Sequence, residues 1–308
     1  MRRRTMLAAG LAIPAAGLAG SAMASAATSY YVAATEQVSN RVTVWSKNVA
    51  FTNANLHWSF SAGGSSAWSN LSDIKVRDTS RYGLIALVTA SGGRVGAINV
   101  TSKKATSLAD LKWSAAPGGN PHAIERIPNN GSVVVASSAG RLTVYAPSSS
   151  ALGSLAQVQT IAVSGAHGVL WDPTYKLLWV SGQDWIRAYS VSGSWRNTRL
   201  KYSKHVSLGS NLGHDLQPDY SDRSALLCTA THGVYRLNTA SLALTRISSE
   251  TRVKAYAKHS SGEAVSIRAD NTGARTWGSP TIRFSASPDR TRSGAEFYKV
   301  RIWDSDFE

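Results

Sequence analysis

From about residue 30 onward, polar openings, short apolar strands and Pro/Asn/Gly/Asp turns follow one another in a recurring order. Each unit opens on a polar residue that begins a strand. After a turn comes a nearly all-apolar strand, as in Val133–Ser137, Leu177–Ser181 and Leu226–Ala230. A tight Ser/Thr/Gly turn then leads into a strand of alternating character. A period of two marks a half-buried strand, and a short unbroken apolar run marks one covered on both faces. Long stretches with a 3.6-residue period are absent, so the pattern predicts an all-β protein.

The clearest copies of the unit span 120–147, 165–191 and 212–239, with weaker ones at 70–100 and 252–284 and a first copy, truncated at its front, at 29–46. Their openers Asp73, His122, His167, His214 and Lys254 are spaced by 49, 45, 47 and 40 positions. A repeat in the forties with several short strands is the signature of propeller blades. Six copies predict a six-bladed β-propeller forming a single domain over 29–308, with a seven-bladed ring carrying a degenerate blade in 46–70 as the runner-up. A β-sandwich would not repeat a marker at this spacing. Phe297–Trp303 alternates strictly and no blade follows it. It is predicted to close the ring by pairing with the strand begun by Tyr30–Ala34, which leaves few exposed edges.

Composition adds an address. Residues 1–26 run from Arg2-Arg3-Arg4 through an Ala/Leu/Gly-rich stretch to Ala24-Ser25-Ala26, the layout of a cleavable, twin-arginine-like export signal. The apolar stretch, interrupted by Pro14, is short for a bilayer span, so a secreted, extracellular protein without a membrane span is expected. The single cysteine, Cys228, excludes an intrachain disulfide framework and any multi-cysteine metal cluster. Lys and Arg outnumber Asp and Glu by 33 to 18, and by about 30 to 18 without the signal. That excess favours anionic partners outside the cell, such as acidic polysaccharide or an anionic small molecule, although solubility alone also accounts for it. Nucleic-acid binding is not expected of an exported chain without a recognition motif. A monomer is expected.

In a propeller, the start of each inner strand and the turn between the second and third strands share one rim. Asp73, His122, His167, His214 and Lys254 should therefore meet Glu36, Ser138, Gln183 and His232 around one funnel. Three readings stay open. The histidines could cap their own strands; His122, His167 and His214 with Asp73 or Glu36 could hold a divalent metal ion; or one neutral histidine could act as a general base beside Lys254, which would stabilise an oxyanion. His57, His205 and His259 fall outside the marker positions. Most of the ten Trp residues sit where a blade core needs bulk, and Trp68 and Trp185 are expected as exposed platforms for a ligand.

The openers Pro121-His122-Ala123-Ile124 and Ala166-His167-Gly168-Val169 resemble the repeat of six-bladed lyases such as the streptogramin B lyases. That resemblance implies a channel metal and a histidine acid/base, but the glutamate-rich metal constellation has no clear counterpart here. A broader resemblance, over nearly the whole chain after the signal, is to secreted actinobacterial propellers of unknown function. It is carried by Thr35-Glu36-Gln37, Trp68-Ser69-Asn70 with Asp73, Gly213–Leu216, Val253-Lys254 with His259, Trp277 with Ile282-Arg283-Phe284, and Tyr298-Lys299. The expected function is that of a secreted propeller with a polar, histidine-lined funnel. It would be a lyase or hydrolase of an anionic glycan or lactone-like molecule, with His122, His167, His214 and Lys254 as catalytic candidates. The alternative is a non-catalytic binder of acidic polysaccharide or cell-wall polymer. Glu36, Asp73, Gln183, His232, Trp68 and Trp185 are the ligand-binding candidates.

Overall fold

A computed structural model describes residues 29–307; the predicted export signal lies outside the described residues. The apolar second strands are buried along their length, as expected for strands with a neighbouring blade on each side: Ile85–Ala90, Val133–Ser137 and Ala225–Ala230 have no exposed position. Outer strands such as Ala156–Ala162 and Arg199–Ser207 are largely exposed. This gradient runs from axis to rim in a ring of six antiparallel blades.

From the axis outward, blade 1 consists of Phe297–Ile302, Tyr31–Glu36, Arg41–Ser46 and Trp58–Ser61. Blades 2 to 6 begin with the inner strands Leu71–Arg77, Pro121–Arg126, Gly168–Asp172, Gly213–Pro218 and Val253–Lys258, each followed outward by the next strands in sequence. Blade 1 therefore takes its innermost strand from the C-terminus and the rest from the N-terminus. Val32 pairs with Ile302, Ala33 with Arg301 and Ala34 with Val300, which is the predicted closure. The 46–70 segment supplies the outer strand of blade 1 rather than a seventh blade, and Ala105–Ser107 from blade 2 pairs in parallel with that strand.

Beyond the closing strand the chain crosses the lower rim, where inner strands end. Trp303 stacks on Trp58 at 5.3 Å, and Tyr220 donates a hydrogen bond to the Asp304 carbonyl at 3.2 Å. Phe307 is fully buried with Trp179, Leu216 and Leu226 of blades 4 and 5. The upper rim is left for the funnel.

Candidate functional site

A local irregularity at the start of the inner strands positions the funnel. In blade 5, Gly213 faces Ala230 but Asp215 faces Thr229, leaving His214 as an extra residue. The same bulge leaves out His122 in blade 3, Lys254 in blade 6 and Ser72 in blade 2. In blade 1 it falls at Tyr298–Lys299. A bulge re-aims the extra side chain; Ser72 turns to Thr89 and the Pro121 carbonyl, whereas His122, His214, Lys254, Tyr298 and Lys299 gather at the axis with His167, whose blade has no register shift. The His122 and His167 rings lie 4.6 Å apart and those of His167 and His214 5.0 Å apart. Tyr298 approaches His214 with its hydroxyl 3.2 Å from Nε2, and Lys254 Nζ lies 3.5 Å from the same nitrogen. Lys299 Nζ sits 3.3 Å from Nδ1 on the other side of the ring.

His122 and His167 each place Nδ1 near a carbonyl oxygen, of Asn120 at 3.0 Å and Gly165 at 3.1 Å. A carbonyl only accepts, so the proton is on Nδ1 and Nε2 keeps its lone pair. Burial holds both imidazoles neutral, with the pKa of His122 lowered to about 4 and that of His167 to about 3. His214 is pushed well below its ordinary range by burial and then by the Lys299 and Lys254 ammonium groups. Burial also lowers Lys254, and Arg252 lowers it further; Lys299, desolvated beside Asp215, falls to about 8.

One layer deeper the charges are paired. Asp73 is the equivalent of Asp215, since Ser72 occupies the bulge in its blade. The Arg301 guanidinium bridges these two fully buried carboxylates, at 2.6 Å from Asp73 and 2.8 Å from Asp215. Lys299 joins at 3.2 Å from Asp215. Below them Lys75 lies 3.6 Å from Glu125, which Arg77 holds at 2.7 Å. Asp73 is therefore part of the frame beneath the funnel, not of its rim.

The mouth encloses a cavity of about 220 Å³ lined by Gln37, Asn70, Asn120, His122, Lys254, Trp277 and Tyr298 among others. Trp277 is 42% exposed and donates its indole N–H to Gln37 at 2.8 Å. Its loop crosses to blade 2, where Arg275 donates to Asn70 at 3.1 Å. Glycines let that loop rest on Glu296: a Cβ at Gly273 would fall 1.1 Å from its Oε1. Marker spacing could not find Trp277, because the connection between the second and third strands of blade 6, residues 269–280, is much longer than the tight turn of the other blades, nor Tyr298 and Lys299, which belong to a blade split between the termini. The signal available for them was the family resemblance, which quoted all three along with Gln37, Asn70 and Lys254.

Several expected members are elsewhere. Glu36 is spent on its own turn, accepting from the Val38 and Ser39 amides at 2.8 Å and from the Glu296 amide at 3.0 Å. Gln183 and His232 are exposed and do not line the mouth cavity. Trp68 is not a platform: it is 5% exposed and packs on Phe60, because its short 3₁₀ turn tucks it under blade 2. Trp185 lies on the outer side of blade 4, capped by the Arg187 guanidinium 3.9 Å above its ring. The three imidazoles do not fit a metal site. Among the described residues no group of three or more His, Cys, Asp and Glu is placed to hold one, and ammonium groups face both nitrogens of His214.

No helix among the described residues is long and apolar enough to cross a membrane. The fold resembles two crystal structures. One is a protein of unknown function from Bacteroides caccae, at 12% identity and a TM-score of 0.58 over 89% of this chain and 98% of that one. The other is a protein from Lactobacillus plantarum, at 11% identity and a TM-score of 0.60 over 90% and 100%. At such identities the likeness speaks for the fold alone. No curated protein matches the chain. A family of unknown function, DUF6528, matches residues 22–276, a segment that contains the three histidines and Lys254 and stops just short of Trp277. With most of its length so matched, this chain belongs to DUF6528.

Proposed function

We propose that the funnel binds an anionic ligand, the carboxylate or similar group of an acidic glycan or small molecule met outside the cell. The observation that carries this reading is Lys254. It lies at the mouth with His214 as its hydrogen-bond partner and no carboxylate within ion-pair distance among the described residues. A half-buried ammonium without a counter-charge is costly, and an incoming anion supplies what the fold withholds. Neutral imidazoles add polar contacts, and Trp277 offers an apolar face for a sugar ring beside the charge. Oligogalacturonate, a chain of uronic acids, is the probe. Calorimetry should show saturable binding that weakens as salt rises. The absence of binding at low ionic strength would remove the proposal.

A catalytic reading is favoured by one observation, the carbonyl oxygens set against Nδ1 of His122 and His167, which in the neutral rings leave Nε2 as a base. A bound carboxylate would raise their depressed pKa values toward the range where proton abstraction is efficient. In a lyase, such a base would take the proton next to the carboxylate while the glycosidic oxygen leaves, forming a carbon–carbon double bond. The ultraviolet absorbance of the unsaturated product tests this. His167→Ala should abolish it while leaving the protein folded, and unchanged turnover per folded molecule would return the histidines to a binding or capping role.

A further inference from the structure

The rim opposite the funnel has its own cavity, about 260 Å³, between connecting loops of blades 2, 3 and 4. Trp195, at 49% the most exposed tryptophan described, stands at its edge. Its backbone is left-handed, with φ of +52°. Bulky L-residues avoid that conformation, and one persists only where its surroundings impose it.

The Trp195 carbonyl accepts from the Thr198 amide at 3.0 Å and from its hydroxyl at 2.8 Å. The neighbouring Arg196 reaches into blade 3 and donates to the carbonyls of Ala146 at 2.5 Å and Ser154 at 2.6 Å. Gly193 permits the tight turn, since a Cβ there would sit 2.2 Å from the Asn197 oxygen. Across the cavity, the Tyr82 hydroxyl accepts from the Leu152 amide at 3.3 Å, and Arg81 donates to Ser150 at 2.9 Å. Buried Leu152 helps form the apolar floor, while exposed Asn129 and Ser150 stand at the rim.

An indole held open to solvent against its backbone preference gains nothing for the core. An apolar aromatic face beside a pocket edged with hydroxyl, amide and guanidinium groups matches a pyranose ring, which carries C–H bonds on its faces and hydroxyls around its edge. We propose that this cavity is a carbohydrate subsite in which Trp195 stacks on a pyranose ring of a β-linked glycan, independently of the funnel.

Cellohexaose and chitohexaose are the probes, followed by tryptophan fluorescence. At least one should change the emission saturably, and Trp195→Gly should weaken its binding about tenfold or more. Glycine accepts the left-handed backbone, so the same substitution should raise Tm. Lys254→Met, at the other rim, should leave this binding unchanged. If neither oligosaccharide alters the emission at millimolar concentration, or Trp195→Gly binds as tightly as the parent, the subsite is overturned. A lower Tm for Trp195→Gly would overturn the imposed-conformation premise on which it rests.

Discussion

Arg301 and Lys254 are both cations on inner strands, yet the fold treats them in opposite ways. Arg301 is buried between Asp73 and Asp215 and donates to both, also giving a bond to its neighbour's carbonyl at 2.9 Å. Lys254, nearer the solvent, has one imidazole nitrogen at 3.5 Å and no carboxylate among the described residues within ion-pair distance. The deeper cation has its counter-charge built in and therefore belongs to the frame. The upper one has none built in, and under the proposed function an anionic ligand supplies it.

The largest effect is expected from deleting 297–307, which strips blade 1 of its inner strand and removes Arg301 with it. That variant should fail to give a cooperative melt, and a melt matching the parent would refute closure through the C-terminus. Next comes Arg301→Met, which leaves two buried carboxylates without their bridge. Breaking one side of such a network costs about 3–5 kcal/mol, read as a lower denaturation midpoint. Lys254→Met, by contrast, should leave the midpoint unchanged or raise it slightly, since it removes an unpaired half-buried charge.

A separate effect concerns pH. An unfolded histidine protonates near 6.5, whereas folded His122 and His167 do so only at about 4 and about 3. Between these values the unfolded chain binds more protons. Stability is therefore full above about pH 6.5 and falls as pH drops toward the folded values. Melts between about pH 7.5 and 4.5 should show this decline, and a His122→Asn/His167→Asn double variant should make it shallower, leaving the part that His214 contributes. A parent profile already flat through that range would mean the imidazoles are not held neutral. Ligand anions act in the opposite sense, raising the imidazole pKa, so binding oligogalacturonate near pH 5 should take up protons.

The repeat was legible because buried second strands such as Val133–Ser137 and Ala225–Ala230 announce themselves as apolar runs. The convergence of His122, His167, His214 and Lys254 was legible because a propeller returns equivalent positions to one axis. Asp73 was misplaced by one residue because a bulge changes which side chain faces the pore without changing the apolar pattern. Tyr298 and Lys299 were invisible to spacing because their blade is assembled from both ends of the chain. Trp68 and Trp195 show a different limit. Both lie in short turns, but exposure there depends on how a 3₁₀ turn is folded over, and sequence pattern says nothing of that.

The most direct measurement is calorimetric titration of Lys254→Met with oligogalacturonate beside the parent protein, at low salt and neutral pH. The account predicts parent binding that falls about tenfold or more in the variant, at an unchanged melting temperature. Equal affinity in the two proteins would contradict it.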